Sequence, residues 1–313
     1  MSQCPLVSVI VPCFNQAQFL PTAVESALAQ TYPRVEVVVV DDGSTDGTFE
    51  IAQGYGKAIR LVRQRNSGLS AARNAAIGAC SGEFVTLLDS DDALLPEGVA
   101  SRMRWMLEDP AVGLVAGYYR EVGEDGSILP RIPELRRLGP PPHLPQTVRR
   151  NWGPPVGWTI RRAALEQCGM FDESLRSCED WDLLIRISAR WKIAYDPEVG
   201  ALYRQLPSSM SRNHLVMVDA AAQMMRKNAS IAPNRFAYAW WCQFGRFQHG
   251  RRILFNVLSR GPLPRRVALL LRLCVQRPHL LWVGALSLAT LALGKRPSAL
   301  AALPEPTERR DAA

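Results

Sequence analysis

The sequence lacks the cysteine patterns of zinc sites and of disulfide-bonded secreted domains. Its seven cysteines are odd in number, and no two of them stand at Cys-x-x-Cys spacing. The N-terminus shows no basic segment followed by an apolar one, which is the pattern of a secretory signal. We therefore expect reduced thiols and a cytoplasmic location for the folded part of the chain.

Two glycine-rich motifs of nucleotide-binding proteins are also missing. No Gly-x-Gly-x-x-Gly follows the first strand-like segment, Val7–Val11, and the chain has no Walker-type loop. These absences argue against a nicotinamide-dependent dehydrogenase and a P-loop NTPase. A nucleotidyltransferase is disfavoured as well, because Pro12-Cys13-Phe14-Asn15 stands where its glycine-rich triphosphate loop should follow the strand. Any nucleotide would have to be held by carboxylates and a metal ion instead.

Charge is unevenly divided along the chain, whose formal net charge is +8. Residues 1–203 carry 20 Lys+Arg and 25 Asp+Glu, a net of −5, whereas residues 204–313 carry 17 and 4, a net of +13. No nucleic-acid-binding motif accompanies the arginines, so nucleic acid is not an expected partner. The basic part is better suited to an anionic membrane surface.

The first 120 residues alternate between strand-like and helix-like patterns. Val7–Val11, Val35–Val40 and Phe84–Leu88 are short apolar runs, typical of strands that are covered on both faces. Segments with apolar residues at helical spacing separate them. This alternation predicts an α/β fold with a mostly parallel sheet flanked by helices. Residues 125–150 break the pattern, and their proline-rich part predicts a long surface loop.

Acidic clusters follow two of the predicted strands. Val40 is followed by Asp41-Asp42-Gly43-Ser44, and Leu88 is followed by Asp89-Ser90-Asp91-Asp92. Parallel strands bring five carboxylates to one edge of the sheet, where they repel one another unless a cation or donor groups neutralise them. Mg²⁺ or Mn²⁺ bridging a nucleoside diphosphate would do so. Each cluster also fits a turn with a helix cap, and Asp92 in particular would cap a helix starting near Pro96.

A series of further segments runs along the chain in a fixed order. They are Ser8–Asn15, Ser26–Tyr32, Val40–Asp46, Asn66–Asn74, Leu87–Asp92, Arg161–Glu173 and Glu179–Leu183. The series resembles glycosyltransferase family 2 over about residues 6–205. The resemblance implies a GT-A fold, Rossmann-like, with a nucleotide-sugar half at about 1–120 and an acceptor half at about 121–205. It also implies a nucleotide-sugar donor, a divalent metal and inversion at the sugar carbon.

The same resemblance implies roles for residues of the nucleotide-sugar half. Pro12, Asp42 and Arg73 would line the nucleoside pocket, with Asp42 accepting hydrogen bonds from the base and Asp41 supporting it. Arg73 lies in a helix otherwise rich in alanine, so its charge needs a partner if buried, and we expect Asp42 or a phosphate. Asp89 and Asp91 would form the metal motif, with Asp91 the direct ligand.

In the acceptor half, Glu179-Asp180-x-Asp182 matches the family's catalytic motif. Asp180 is the expected general base, with Glu179 beside it. The motif also fits an acidic first helical turn favoured by the helix dipole. Trp158, Trp152 and Asp182 are further candidates for contact with the acceptor, because aromatic faces commonly stack on sugar rings.

The chain departs from the family pattern at Leu206, where many members have histidine in Tyr-Arg-x-His-Pro-Gly-Ser-Met-Ser. Any role of that histidine on the metal or diphosphate would fall to Arg204 or Arg212, or be absent. A second segment, Gln243–Phe247, faintly matches the Gln-x-x-Arg-Trp motif of processive polysaccharide synthases. We give it no role, because it ends in Phe and lies far from Asp180 in the sequence.

Residues 206–313 are predicted to form a basic helical region, with a disordered tail after 304. Leu280–Leu293 is apolar nearly all round, but 14 residues span only ~21 Å against a ~30 Å hydrocarbon core. We therefore expect residues 264–296 to make peripheral contact with the membrane rather than cross it. The alternatives are a helical subdomain packed on the catalytic domain and a homodimer contact.

Together these patterns predict a metal-dependent inverting glycosyltransferase on the inner face of the cell membrane. It would use a nucleoside-diphosphate sugar, most simply a UDP-sugar, and act on a saccharide or lipid-linked acceptor in cell-envelope polysaccharide or glycolipid synthesis. The alternative is a catalytically weak nucleotide-sugar-binding or scaffolding protein at the membrane.

Overall fold

The computed structural model describes residues 4–129, 147, 153–207, 209 and 214–231. These residues all fall in the first of two units, Met1–Gln243 and Phe244–Ala313. The predicted membrane contact at 264–296, the predicted tail after 304, Trp152, Arg212 and the motif at Gln243–Phe247 lie outside the described residues. So does most of the predicted loop at 125–150.

The described part of the chain contains eight strands and seven α-helices. The strands are β1 (Val7–Cys13), β2 (Val35–Asp41), β3 (Arg60–Arg63), β4 (Phe84–Leu87), β5 (Ala93–Leu94), β6 (Val112–Val122), β7 (Thr159–Arg161) and β8 (Lys192–Arg204). The helices are α1 (Leu20–Leu28), α2 (Thr48–Gly54), α3 (Leu69–Ala79), α4 (Gly98–Glu108), α5 (Arg162–Cys168), α6 (Glu179–Ser188) and α7 (His214–Lys227).

The eight strands form one sheet in the order β3-β2-β1-β4-β7-β6-β8-β5. β1 lies between β2 and β4 and runs parallel to both, and β6 runs parallel to β8. β7 is antiparallel to β4 and β6, and β5 is antiparallel to β8. The predicted α/β class with a mostly parallel sheet is confirmed. Because β1, β2 and β4 share a direction, the loops that follow them open on the same edge.

Two apolar layers cover the faces of the sheet. Val7, Val9 and Val11 of β1 belong to the layer that contains α1 and α4, whereas Ile10 belongs to the layer that contains α3, α5 and α6. Alternate side chains of a strand point to opposite faces, so a strand buried on both sides needs a continuous apolar run. This is why Val7–Val11 is apolar except for Ser8, whose buried hydroxyl is bonded to the Glu36 carboxylate.

Helix α7 packs against α6 through a third, smaller apolar cluster. Its members are Leu175, Cys178, Trp181 and Ile185 on one side and Ala220, Ala221, Met224 and Met225 on the other. The predicted domain boundary at residue 205 stays a prediction, but the first helix beyond it contacts the predicted catalytic motif. Among the residues that the structure describes, no helix combines the length and hydropathy needed to cross a membrane.

Candidate active site

The ends of β1, β2 and β4 bring both predicted acidic clusters to one edge of the sheet. Asp41 is the last residue of β2, and its neighbour Asp42 donates its backbone N–H to the carbonyl oxygen of Cys13 at the end of β1, at 2.9 Å. We call Asp41–Ser44 the first acidic turn. Residues Asp89–Asp92, which follow β4 after Leu88, form the second acidic turn.

In the first acidic turn, the buried Asp42 carboxylate accepts three hydrogen bonds from one loop. Gln64 Nε2 and the Ser67 backbone N–H donate to Oδ1 at 2.7 and 2.9 Å, and the Gly68 N–H donates to Oδ2 at 2.8 Å. A carboxylate that receives several donors is stable as an anion inside a protein. Asp42 therefore holds the Gln64–Gly68 loop in place at the rim of the site.

Asp41 is also paired within the protein. Its Oδ1 accepts the Ser44 backbone N–H at 3.1 Å, and its Oδ2 lies 3.1 Å from Arg63 Nε. Pro12 is buried in β1, beside Val40 of β2. Burial, together with Asp41 and the other nearby carboxylates, raises the pKa of the Cys13 thiol to about 12. The first acidic turn is negatively charged, but its carboxylates have local donors.

The second acidic turn is different, because its carboxylates raise one another's pKa. Burial and the neighbouring Asp89 raise the pKa of Asp91 to about 6, against the opposing effects of a hydrogen bond from its own backbone and of the Arg204 charge. Asp92 is buried, and burial and the neighbouring Asp91 and Asp89 raise its pKa well above the usual range. Its Oδ2 has no hydrogen-bond partner.

The predicted helix-capping role of Asp92 is wrong. Helix α4 begins at Gly98, and its preceding residue Glu97 makes no side-chain cap. Asp92 Oδ1 instead accepts the backbone N–H of Arg204 at 2.7 Å, which ties the second acidic turn to the end of β8.

Arg73 is buried, but its partners are not those expected from the sequence. Its Nη2 donates to Asp89 Oδ1 at 2.6 Å, and its Nη1 donates to Glu179 Oε1 at 2.7 Å. Burial favours a neutral guanidine, yet Asp89 and Glu179 together hold the pKa of Arg73 above its ordinary value. The expected pairing with Asp42 was wrong, because Gln64, Ser67 and Gly68 donate to that carboxylate, while the alternative partner, a phosphate, stays a prediction.

The predicted catalytic motif forms the first turn of α6. Cys178 precedes the helix in the left-handed region, with φ 62°, a backbone conformation that side chains with a Cβ seldom adopt. Asp180 is 9% exposed, and its Oδ1 accepts the backbone N–H of Trp181 at 2.7 Å. Glu179 of the predicted base motif and Asp89 of the predicted metal motif both bind Arg73. The two motifs therefore meet at one guanidinium group.

Two residues predicted to contact the acceptor need correction. Trp158 is 2% exposed and belongs to the apolar layer with α3, α5 and α6. Asp182 is 0% exposed, and Arg186, Lys227 and Asn228 surround its carboxylate. Their burial argues against contact with an acceptor, and nothing in the described structure tests Trp152.

Arg204 holds backbone around the second acidic turn and not a ligand site. Its Nε donates to the Asp91 carbonyl at 2.8 Å, and its Nη1 donates to the carbonyls of Gly123 and Glu124 at 3.1 and 2.8 Å. The positive charge opposes the upward shift in the pKa of Asp91. Leu206, which replaces the family's histidine, is buried.

Sequence reasoning missed two parts of the site. Phe14 directly follows β1 and is 44% exposed. The second part is the Gln64–Gly68 loop, whose donors bind Asp42. Both lie inside or beside motif segments, but the signals that would have found them are structural: the exposure of the Phe14 ring and the hydrogen bonds that the loop donates to Asp42.

Asp89 and Asp91 are the residues best suited to hold a divalent metal. Within the described residues, no group of three or more His, Cys, Asp or Glu side chains is arranged as a complete metal site. Asp89, which has one oxygen paired with Arg73, and Asp91, whose pKa burial and Asp89 raise, still fit a hard cation such as Mg²⁺, which keeps several waters and binds phosphate oxygens. The donor set therefore fits a metal shared with a diphosphate.

Comparison with known proteins agrees with this geometry. The family model described as "Glycosyl transferase family 2" matches residues 8–169. A Rickettsia felis protein named "Uncharacterized glycosyltransferase" is 32% identical over 207 residues, covering 63% of this chain and 33% of the relative. This chain thus spans about a third of that relative's length.

Two solved structures share the fold. The first 349 residues of Staphylococcus aureus TarS, in complex with UDP-GlcNAc, match with a TM-score of 0.65 and 19% identity over 93% of each chain. The mannosyltransferase PcManGT from Pyrobaculum calidifontis, in complex with GDP-Man and Mn²⁺, matches with a TM-score of 0.60 and 20% identity over 93% and 87%. These likenesses confirm the predicted GT-A fold. With the family model matching more than half of its residues, the chain belongs to glycosyltransferase family 2.

Proposed function

We propose that the protein transfers a sugar, with inversion, from a nucleoside-diphosphate donor to the hydroxyl of a saccharide or lipid-linked acceptor. The observation that carries the proposal is the position of Arg73. Its guanidinium lies 2.6 Å from Asp89 and 2.7 Å from Glu179, so it joins the acidic turn proposed for the donor to the helix proposed for the acceptor. A transferase needs the groups that act on both substrates at one place.

The donor's nucleoside would bind at the first acidic turn. Phe14 offers an exposed aromatic face for stacking on the base, and Asp42 fixes the Gln64–Gly68 loop beside it. Asp42 would accept a hydrogen bond from the base through a remaining lone pair. A UDP-sugar is the proposed donor, supported by the TarS complex with UDP-GlcNAc, whereas PcManGT holds GDP-Man.

The diphosphate would lie at the second acidic turn, where Asp91 and Asp89 would hold Mg²⁺ or Mn²⁺. A bound divalent cation neutralises the negative charge that develops on the departing nucleoside diphosphate. Without it, the neighbouring carboxylates of this turn would repel a phosphate. Arg73 keeps Asp89 oriented, and Arg204 fixes the backbone at Asp91.

Asp180 is the proposed general base. It would accept the proton of the acceptor hydroxyl as the oxygen attacks the sugar carbon on the face opposite the leaving diphosphate, which inverts the configuration. Glu179 is less suited to this role, because its carboxylate is paired with Arg73. Asp180 is 9% exposed, and its charge, like those of Asp89 and Glu179, acts on the Arg73 guanidinium.

The cellular setting is part of the proposal. We place the protein in cell-envelope polysaccharide or glycolipid synthesis at the inner face of the membrane, with residues 264–296 contacting anionic lipid. The support is the net charge of +13 in residues 204–313, against −5 in the rest of the chain.

A thermal-shift screen tests the donor assignment. The purified chain is heated with a panel of UDP- and GDP-sugars in the presence of Mn²⁺ or Mg²⁺, and again with a chelator. We expect at least one donor to raise the melting temperature only when metal is present. If no donor raises the melting temperature with either metal, the result would contradict the proposed function.

A second measurement separates catalysis from mere binding. Nucleoside-diphosphate release from the stabilising donor is followed with saccharide acceptors for the wild type and for Asp180→Asn. We expect the variant to bind the donor normally but to release product at least 100-fold more slowly. Binding without release in the wild type would favour the alternative of a nucleotide-sugar-binding or scaffolding protein.

A further inference from the structure

Helix α7 is tied to helix α6 by a buried polar network that the proposed chemistry does not use. Its centre is Asp182, two residues beyond the proposed base. Asp182 Oδ2 receives Arg186 Nε and Nη2 at 2.8 and 2.7 Å and Lys227 Nζ at 3.1 Å, and Oδ1 receives Asn228 Nδ2 at 2.7 Å. Of these donors, Arg186 comes from α6 itself, whereas Lys227 and Asn228 come from the end of α7.

Lys227 links a second carboxylate into the same network. Its Nζ lies 2.6 Å from Asp172 Oδ2, in the segment between α5 and α6. Although burial opposes the shift, hydrogen bonds from Lys227 and Ser174 lower the pKa of Asp172 to about 2. One ammonium group thus joins α7 both to α6 and to the segment that leads into it.

The apolar side of the same contact lies under the first turn of α6. Trp181 and Cys178, which flank the Glu179-Asp180 pair, belong to the cluster shared with Met224 and Met225. Ser177 Oγ contacts Met217 Sδ at 2.7 Å. The left-handed backbone at Cys178 is strained, and such a conformation persists only where its surroundings fix it.

We propose that helix α7 is a positioning element of the active site, which holds the base-bearing turn of α6 in place through Lys227, Asp182 and the apolar cluster. The inference rests on the proposed role of Asp180. A buried carboxylate that loses one donor loses part of the compensation for its desolvation cost, so its helix shifts to regain hydration. A shift of about 1 Å in a catalytic group can lower a rate by 10²-fold.

The proposal also gives the basic C-terminal region a defined link to the chemistry. α7 is the first helix of residues 206–313, and it contacts the turn that carries Asp180. A change in the position of α7 would therefore reach the turn that carries the proposed base, and from there Asp89 of the donor side through the contacts of Arg73 with Glu179 and Asp89.

The test replaces Lys227 with Met and uses two matched variants. Lys227→Arg keeps the charge and the ability to donate. Arg226→Met removes a charge from the adjacent, exposed position of the same helix. Lys227 is 38% exposed, so its loss should leave the chain folded. Each full-length variant is assayed for nucleoside-diphosphate release from the donor found in the thermal-shift screen, and for donor affinity by calorimetry.

For Lys227→Met, we expect kcat to fall at least tenfold while the donor Kd stays within twofold of the wild-type value. Lys227→Arg should restore at least half of the wild-type kcat, and Arg226→Met should match the wild type. A kcat within twofold of wild type in Lys227→Met, or an equal loss in Arg226→Met, would overturn the proposal.

Amide hydrogen exchange provides a readout that does not depend on activity. We expect Lys227→Met to speed exchange at residues 179–183, with no change at residues 20–28 of α1, which lies in the other apolar layer. If the wild type releases no product from any donor, the proposed function fails, while faster exchange at 179–183 still supports the contact as a positioning element. Unchanged exchange there would overturn the inference whatever the activity.

Discussion

The two acidic turns have nearly the same sequence character, but their carboxylates are paired to different extents. In the first acidic turn, Asp41 and Asp42 accept hydrogen bonds from Ser44 and the Gln64–Gly68 loop, and Arg63 adds an ion pair. In the second, burial and Asp89 raise the pKa of Asp91 to about 6, and Asp92 Oδ2 has no hydrogen-bond partner. The turns differ in degree: Asp42 accepts three hydrogen bonds and Asp41 Oδ2 has an ion pair but no hydrogen bond, whereas three carboxylates of the second turn face the charges of Arg73 and Arg204.

This difference indicates which turn a bound cation would stabilise more. A cation stabilises a carboxylate that already accepts several hydrogen bonds only a little further, whereas it strongly stabilises neighbouring carboxylates that repel one another. The second acidic turn is therefore the proposed metal site, and the first is the frame of the nucleoside pocket.

The largest effect is expected from Asp91→Asn. The variant should release product at least 100-fold more slowly, because a proposed metal ligand is lost. The free protein should be more stable by about 1 kcal/mol, since a like charge beside Asp89 is removed. Steady-state kinetics and urea unfolding without metal measure both, with the exposed Glu97→Gln as the control for charge. A lower free energy of unfolding for Asp91→Asn than for the wild type would contradict the repulsion between Asp89 and Asp91.

Asp42→Asn should give the opposite sign in stability. An amide cannot accept all three of the donors from Gln64, Ser67 and Gly68, so we expect a loss of about 1–3 kcal/mol in the free energy of unfolding. Donor affinity should fall about tenfold. Urea unfolding and calorimetry check the pair of effects, and unchanged stability would show that the loop does not depend on this carboxylate.

A smaller effect on affinity alone is expected from Phe14→Ala. Loss of stacking on the base should weaken donor binding about tenfold, roughly 1.4 kcal/mol, at the low end for such contacts. Stability should hardly change, because the ring is largely exposed. Leu28→Ala, at a comparably exposed apolar position, is the control and should bind the donor like the wild type.

The smallest effect concerns the thiol beside the first acidic turn. Since burial and the nearby carboxylates raise the pKa of Cys13 to about 12, it should remain unmodified by iodoacetamide at pH 8 in the folded protein. The exposed Cys4 should react. Mass spectrometry of the alkylated peptides distinguishes the two cysteines. Rapid labelling of Cys13 would contradict its burial and the effect of the nearby carboxylates on its pKa.

Much of the fold could be predicted because apolar runs and helical spacing are local signals. Val7–Val11, Val35–Val40 and Phe84–Leu88 all became strands of one sheet, and the common direction of β1, β2 and β4 brought the acidic turns together. The order of the strands, with β7 inserted between β4 and β6, depends on long-range pairing and leaves no mark on local sequence.

The site was harder to predict, because partners depend on distances between remote segments. The sequence placed a charge at Arg73 but could not show that Glu179, 106 residues away, would pair with it. Asp182 lies in the catalytic motif, yet its carboxylate is committed to Arg186, Lys227 and Asn228. Composition alone also could not distinguish the first acidic turn, in which Asp42 accepts three hydrogen bonds, from the second, in which neighbouring carboxylates raise the pKa of Asp91 and Asp92.

Calorimetric titration of Mn²⁺ in the presence of saturating UDP tests the central comparison most directly. It uses the wild type, Asp91→Asn and Asp42→Asn. We expect one Mn²⁺ site in the wild type. Asp42→Asn should bind Mn²⁺ with unchanged affinity once UDP saturates that variant. Asp91→Asn should show no measurable Mn²⁺ site. Equal Mn²⁺ affinity in Asp91→Asn and the wild type, or loss of the metal site in Asp42→Asn alone, would contradict it.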